Sequence, residues 1–181
     1  VKTELSTPLE ALAAVLTYPG DGYRRHVDGC AAVLAGFSAE AAGEMAAFAE
    51  EVADLQREEL EELYTRTFDL DPASCLDLGW HLYGEAYERG RFLVRIRGLL
   101  REHGVRENGE LPDHLTNVLP LLGHMDLQPA SELAREAVLP ALRAMREALE
   151  KADNPYCHVL AAARSLVTER WMEPAAEVCH E

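Results

Sequence analysis

The 181-residue chain reads as an all-α protein, a single globular bundle of about eight to ten helices over residues 1–181. Three observations predict this class. Apolar residues recur three and four positions apart, the repeat of one helix face. Helix-opening and helix-ending residues punctuate the chain at regular intervals. No segment shows sustained period-two alternation bounded by hairpin turns, and no internal repeat or low-complexity linker divides it.

The elements follow in order. Thr7, Pro8 and Glu10 supply a capping hydroxyl, a first-position proline and a third-position acid. The helix they open carries Leu9, Leu12, Ala13 and Leu16 on one face and stops at Tyr18, Pro19 and Gly20. A second helix covers about residues 22–35, with Val27, Cys30, Ala31 and Leu34 inward. Ser38 caps a third through Met45, Ala49 and Val52. Residues 58–68 repeat the pattern with Leu60, Leu63, Tyr64 and Phe68, and Pro72 breaks the chain.

Residues 76–82 fit either irregular structure or helix. Residues 85–103 return to helix, with Phe92, Ile96 and Leu99 or Leu100 as its stripe and Gly104 as its end. Pro112 is expected to start a helix that runs to about Met125. A long helix follows over 131–151, and Asn154 with Pro155 opens the last, to about Trp171. Pro120 and Pro140 fall inside helical patterns, where kinks or breaks are expected.

Charge narrows the function. With 32 acids against 17 bases the formal net charge is -15, a surface that repels nucleic-acid backbones and anionic lipid. No apolar run reaches the roughly 18–20 residues that span a bilayer, and residues 1–7 carry no secretory pattern. Cys30, Cys75, Cys157 and Cys179 are scattered without a CxxC pair. They read as reduced thiols of a cytoplasmic protein.

Catalytic signatures are scarce. No glycine-rich phosphate loop, GxSxG elbow or HExxH occurs, and the 7 histidines form no metal-ligand spacing. Cys157-His158 and Cys179-His180 are adjacent pairs whose side chains diverge on a helix. Asp113-His114 is the most enzyme-like pair, open to a helix-start reading or to a small hydrolase or metal enzyme. Arg89, Arg91, Arg95, Arg97, Arg101 and Arg106 form a basic stretch. It either pairs with the acidic segment 40–62 or meets an acidic patch on a partner.

Three motifs carry a resemblance. Tyr64 to Asp69 reads Tyr-Thr-Arg-Thr-Phe-Asp, His81 to Gly90 holds His-x-x-Gly-Glu followed by Glu-Arg-Gly, and residues 110–115 read Glu-Leu-Pro-Asp-His-Leu. Weaker echoes are Leu16-Thr-Tyr-Pro19 and Pro155-Tyr156. In this order they resemble the NarJ family, delta-subunit assembly chaperones of respiratory nitrate reductase, related to the TorD and DmsD chaperones. The similarity covers roughly residues 9–170 and is sharpest over 64–115. The chain stops soon after the last helix, where these chaperones often carry an acidic tail.

The resemblance implies a non-catalytic chaperone for the N-terminal segment of the apo nitrate reductase alpha subunit, competent for cofactor insertion while held. A same-fold chaperone for a dimethyl sulfoxide or trimethylamine N-oxide reductase is the close variant. The client carries the molybdopterin guanine dinucleotide and iron–sulfur clusters, so no cofactor or metal is expected here. A monomer is the default, and relatives also exchange helices into dimers. An amphipathic client helix would lay its apolar face in a groove rimmed by acids. The candidate contacts are Tyr64, Phe68, Asp69, His81, Tyr83, Glu85, Arg89, Pro112, Asp113, His114 and Leu115. Among these Phe68 fits the core better than a groove, and Gly84 and Gly90 suit close helix contact.

Overall fold

The last helix organises the packing. A computed structural model describes residues 6–172, and in it α10 (Tyr156–Trp171) buries Tyr156, Val159, Leu160, Ala161, Ala162, Ala163, Ser165, Leu166, Val167 and Trp171. A helix apolar on nearly every side has to be covered on every side. It packs against α3 (Ala39–Glu51) and α9 (Leu139–Lys151), with lesser contact to α1 (Ser6–Val15). The helix α7 (Leu115–His124) is buried in the same way and takes α1 on one flank.

Around these lie α2 (Tyr23–Leu34) between α1 and α3, α4 (Arg57–Tyr64), α5 (Leu78–Tyr83), α6 (Tyr87–Glu102) and α8 (Leu127–Leu133). The buried apolar side chains form one cluster running from Leu9 to Trp171. The described residues are all-α, with one isolated antiparallel bridge between Asp77 and His114 and no named strand. No helix among them is long and apolar enough to cross a membrane.

Local chemistry explains most boundaries. Ser38 accepts the Ala41 amide as the cap of α3. Asn154 Oδ1 accepts the Tyr156 amide at the start of α10, at 3.0 Å. The first helix begins at Ser6, one residue before the expected capping Thr7. The long helix expected over 131–151 begins earlier and widens midway: α8 passes through a π-turn at Ala134–Val138 into α9. Pro140 has no amide proton and crowds the carbonyl four residues back, so the chain takes a wider turn just before it. Pro120 sits inside α7 without ending it.

Two sequence expectations are corrected. Pro112 does not start a helix; α7 begins at Leu115, with His114 as its cap and residues 111–114 outside it. Gly84 and Gly90 are not sites of close approach, because a Cβ on either would meet nothing within 4 Å. Gly84 instead ends α5 with φ of 56°. The Cys179-His180 pair lies outside the described residues, and Cys30, Cys75 and Cys157 are free thiols.

His158 on α10 ties that helix to α3. Its Nδ1 lies 2.7 Å from Glu44 Oε2 and its Nε2 3.2 Å from Glu51 Oε1, and a ring that donates at both nitrogens is an imidazolium. Burial alone would lower its pKa, yet the two glutamates outweigh it and the net shift is upward. A raised histidine pKa stabilises the fold below its unfolded value and loses that contribution as pH rises through the folded one. The melting temperature of wild type should therefore exceed that of His158→Gln at pH 6, with the gap closing by pH 8.5. A gap independent of pH would remove the tie.

Candidate functional site

The Glu-Leu-Pro-Asp-His-Leu segment is held by two backbone bonds to the start of α5. The Leu78 amide donates to the Asp113 carbonyl at 3.1 Å, and the Leu115 amide to the Leu76 carbonyl at 2.8 Å. Between them the Asp113 side chain turns inward, and its Oδ2 accepts the Gly79 amide at 2.7 Å. Gly79 is required for this approach. A Cβ there would lie 2.7 Å from Asp113 Oδ2, 3.1 Å from Phe92 Cδ1 and 3.2 Å from Arg89 Cγ.

His114 and its neighbours secure the other end. Asn108 Nδ2 donates to Thr116 Oγ1 at 2.8 Å, which leaves the threonine proton for His114 Nδ1 at 2.6 Å. Nδ1 also accepts the Thr116 amide and so caps α7. Burial pushes His114 down to about 4, so this imidazole is neutral. Asn117 joins the set, accepting the Asn108 amide and donating to the Leu111 carbonyl.

Charge at the junction is uneven, since two carboxylates share one guanidinium. Arg89 reaches Asp77 Oδ2 at 3.2 Å and lies 5.5 Å from the Trp80 ring centroid. Burial, then the neighbouring Asp113, pushes Asp77 up to about 6, with Arg89 pulling the other way. Burial likewise raises Asp113, opposed by the Gly79 amide and Arg89. Neither Asp113 Oδ1 nor Arg89 Nε has a hydrogen-bond partner. His81 donates from Nε2 to the Cys75 carbonyl at 2.7 Å, and burial lowers its pKa.

The remaining motifs meet elsewhere, in an aromatic cluster. Tyr64 packs edge-on to Tyr18, Phe68 and Tyr156, with centroids 5.5, 5.1 and 6.1 Å apart. Tyr64 donates to the Leu16 carbonyl, and Tyr23 bonds the Val15 carbonyl and the Tyr156 hydroxyl. The Phe-Asp pair sits on a π-turn, Thr65–Asp69, where Thr67 Oγ1 bonds the Leu63 carbonyl. Tyr64 is raised chiefly by burial, then by Asp69 and, among further charges, Glu110. Glu110 also acts on Asp77. One carboxylate thus stands within electrostatic reach of both clusters.

These placements sort the expected contact residues. Tyr64, Phe68, Pro112, Asp113, His114 and Leu115 are buried, and Asp113 is 0% exposed. They hold the fold in this conformation. His81 and Arg89 are half-buried, while Asp69, Tyr83 and Glu85 are open to solvent. The Asp113-His114 pair does not form an Asp–His catalytic unit, because one side chain bonds Gly79 and the other Thr116. Among the described residues no three His, Cys, Asp or Glu side chains gather to hold a metal ion.

The arginine stretch does not pair with segment 40–62. Arg89, Arg95 and Arg97 reach Asp77, Glu136 and Glu107 instead. Sequence reasoning missed Gly79, Asn108, Thr116 and Asn117, the residues that bond the motif into place. It also missed Tyr18, Leu70 and Leu111, large apolar side chains left exposed beside Tyr64, Asp69 and Glu110.

The Gly79–Asp113 approach yields a stability test. Gly79→Ala should cost about 1–3 kcal/mol by overpacking, and Asp113→Ala about 1–3 kcal/mol by stranding the Gly79 amide. Because Asp113→Ala also vacates the space that the new methyl needs, the double variant should lose clearly less than the two losses added together. Urea unfolding of the four proteins is the measurement. Strict additivity would show that the two residues do not constrain each other.

Comparison with known proteins identifies the family of the chain. A family profile described as nitrate reductase delta subunit matches residues 34–162. Two curated relatives, both named nitrate reductase molybdenum cofactor assembly chaperone NarJ, come from Escherichia coli K12 and Escherichia coli O157:H7. Each is 31% identical over 94 residues, a match that covers 51% of this chain and 39% of the relative. The profile runs from the end of α2 into α10 and so takes in the motifs at 64–69, 81–90 and 110–115, while Tyr18 and Tyr23 precede it. On that match the chain belongs to the nitrate reductase delta subunit family.

Proposed function

We propose that this chain assists assembly of a molybdenum-containing nitrate reductase by holding the N-terminal segment of its apo catalytic subunit. Membership of the delta subunit family and the name of the curated relatives supply the general role. The observation that carries the binding mode is one mixed face. Leu70, 73% exposed, adjoins Asp69, exposed Leu111 adjoins Glu110, and exposed Tyr18 packs on Tyr64, the ring that both acids influence.

Such a face suits an amphipathic helix with basic side chains. The apolar stripe of the helix would cover Tyr18, Leu70 and Leu111, and its lysines or arginines would meet Asp69 and Glu110. Exposed apolar side chains supply affinity by leaving water, and the rim acids set orientation and speed of encounter. The role needs one helical domain and no bound cofactor of its own. Molybdopterin guanine dinucleotide and iron–sulfur clusters would stay with the client. The assignment to the cytoplasm and to a monomer belongs to the same proposal.

Calorimetric titration with a synthetic client N-terminal peptide is the test. Affinity should fall as the Debye length shrinks from about 10 Å at 0.1 M salt to about 3 Å at 1 M. Asp69→Asn and Glu110→Gln should each weaken binding up to about fivefold, the range of exposed ion pairs at about 0.2–1 kcal/mol. Leu70→Ser with Leu111→Ser should weaken it more, about tenfold or beyond. If affinity ignores salt and all four substitutions, this face is not where the client binds.

A further inference from the structure

The helix α6 has two faces, of which only one is used by the fold. Phe92, Ile96 and Leu100 point into the core, and Arg89 lies on the same side against Trp80 and Asp77. The outer ridge is formed by Tyr87, Arg91, Val94, Gly98 and Arg101, which follow one another at steps of four, three, four and three residues. That alternation is the spacing of a helix–helix seam, in which every side chain returns to one line along the axis. All five are exposed.

The ridge is made unlike an ordinary solvated face. Tyr87 is 83% exposed and Val94 72%, so two large apolar groups stand in water one above the other. Gly98 lies in the same line with nothing within 4 Å of a would-be Cβ, which leaves room for a second helix backbone to come close. Arg95 and Arg97, beside the ridge, are occupied by Glu136 and Glu107. Arg91 and Arg101, on it, form no ion pair with a described carboxylate, although Arg101 stands close enough to Glu107 to help lower its pKa. Six of the chain's 17 bases fall in residues 89–106 of an otherwise acidic molecule.

We propose that this outer ridge of α6 is a docking surface for an acidic amphipathic helix of a partner protein. Apolar side chains of that helix would pack over Tyr87 and Val94, its backbone would approach at Gly98, and its carboxylates would meet Arg91 and Arg101. Two helices packed this way lie about 8–10 Å apart. In a symmetric pairing of two copies through this ridge, Arg91 and Arg101 would face their own counterparts, which disfavours a second copy of this chain. The ridge lies on the side of α6 opposite Arg89 and Trp80 of α5, and none of its residues is among the four substituted in the client-peptide titration.

The test uses the full chain and two synthetic helical peptides built on the same four-three repeat. One bears Glu at the positions that would face Arg91 and Arg101, the other Lys. Wild type should bind the Glu peptide at least tenfold more tightly than the Lys peptide by fluorescence anisotropy. Arg91→Glu combined with Arg101→Glu should reverse that order, and Gly98→Trp should weaken the Glu peptide at least tenfold. All variants should melt with wild type, since the altered side chains touch no core residue. Absence of peptide binding would overturn the proposal, as would binding that Gly98→Trp leaves unchanged. Tight adsorption to phosphatidylserine vesicles without peptide binding would overturn it in favour of a membrane surface.

Discussion

The carboxylate of Asp113 is taken wholly out of water, and everything near it is arranged around the cost of that burial. One oxygen is met by the Gly79 amide, a bond that only a residue without a Cβ allows at that distance. Two backbone bonds on either side keep the segments from separating. The result couples α5, the loop before α7 and the first turn of α7 into one unit. Arg89 then has to serve both Asp77 and Asp113, and Asp77 shows the strain in its raised pKa. A charge balance this tight makes the junction sensitive to anything that adds or removes a proton or a cation nearby.

The family motifs divide by physical task once they are placed in space. The Leu-x-Tyr-Pro, Tyr-x-x-x-Phe-Asp and Pro-Tyr segments come together as edge-on rings, of which Tyr64 reaches a backbone carbonyl and Tyr156 the Tyr23 hydroxyl. Those rings join α1, α4 and α10, which are far apart in the chain. The Pro-Asp-His segment and Arg89 of the Glu-Arg-Gly segment, with Asp77 and Gly79, instead build the polar junction. Buried and exposed residues sit close together in each motif: Phe68 is inside and Asp69 outside, Asp113 is inside and Glu110 outside. Burial of one member fixes the direction in which its neighbour points.

The surface is correspondingly polarised. Acids dominate the chain, while four arginines, Arg91, Arg95, Arg97 and Arg101, lie exposed on α6. An acidic rim beside Leu70 and Leu111 favours a basic segment, and the arginine ridge favours an acidic one. Complementarity of this kind contributes more to choice of partner and to encounter rate than to affinity, because exposed charges are screened by salt and hydrated when free. Apolar groups left in water on both surfaces provide the area that binding would remove from solvent.

The all-α class was legible from the spacing of Leu, Ala and Val alone, and so were the stripes Leu9, Leu12, Leu16 and Phe92, Ile96, Leu100, because helical periodicity is a local property of the chain. Caps that depend on one side chain and its next few residues, such as Ser38 and Asn154, were readable for the same reason. The start of α7 was not. Pro112 has the local chemistry of a first helical position, but pairing of residues 113 and 115 with 76 and 78 holds residues 111–114 in a single turn, and the helix begins three residues later. Nor did any local signal separate Gly79, pressed against a carboxylate, from Gly84 and Gly90, where a Cβ would find open space. The sequence by itself determined which residues would form helices and which chemical groups the motifs contain. Only the tertiary structure decided which of those groups face water, because burial is set by what lies opposite in space, and for Asp113 that is a backbone amide 34 residues away.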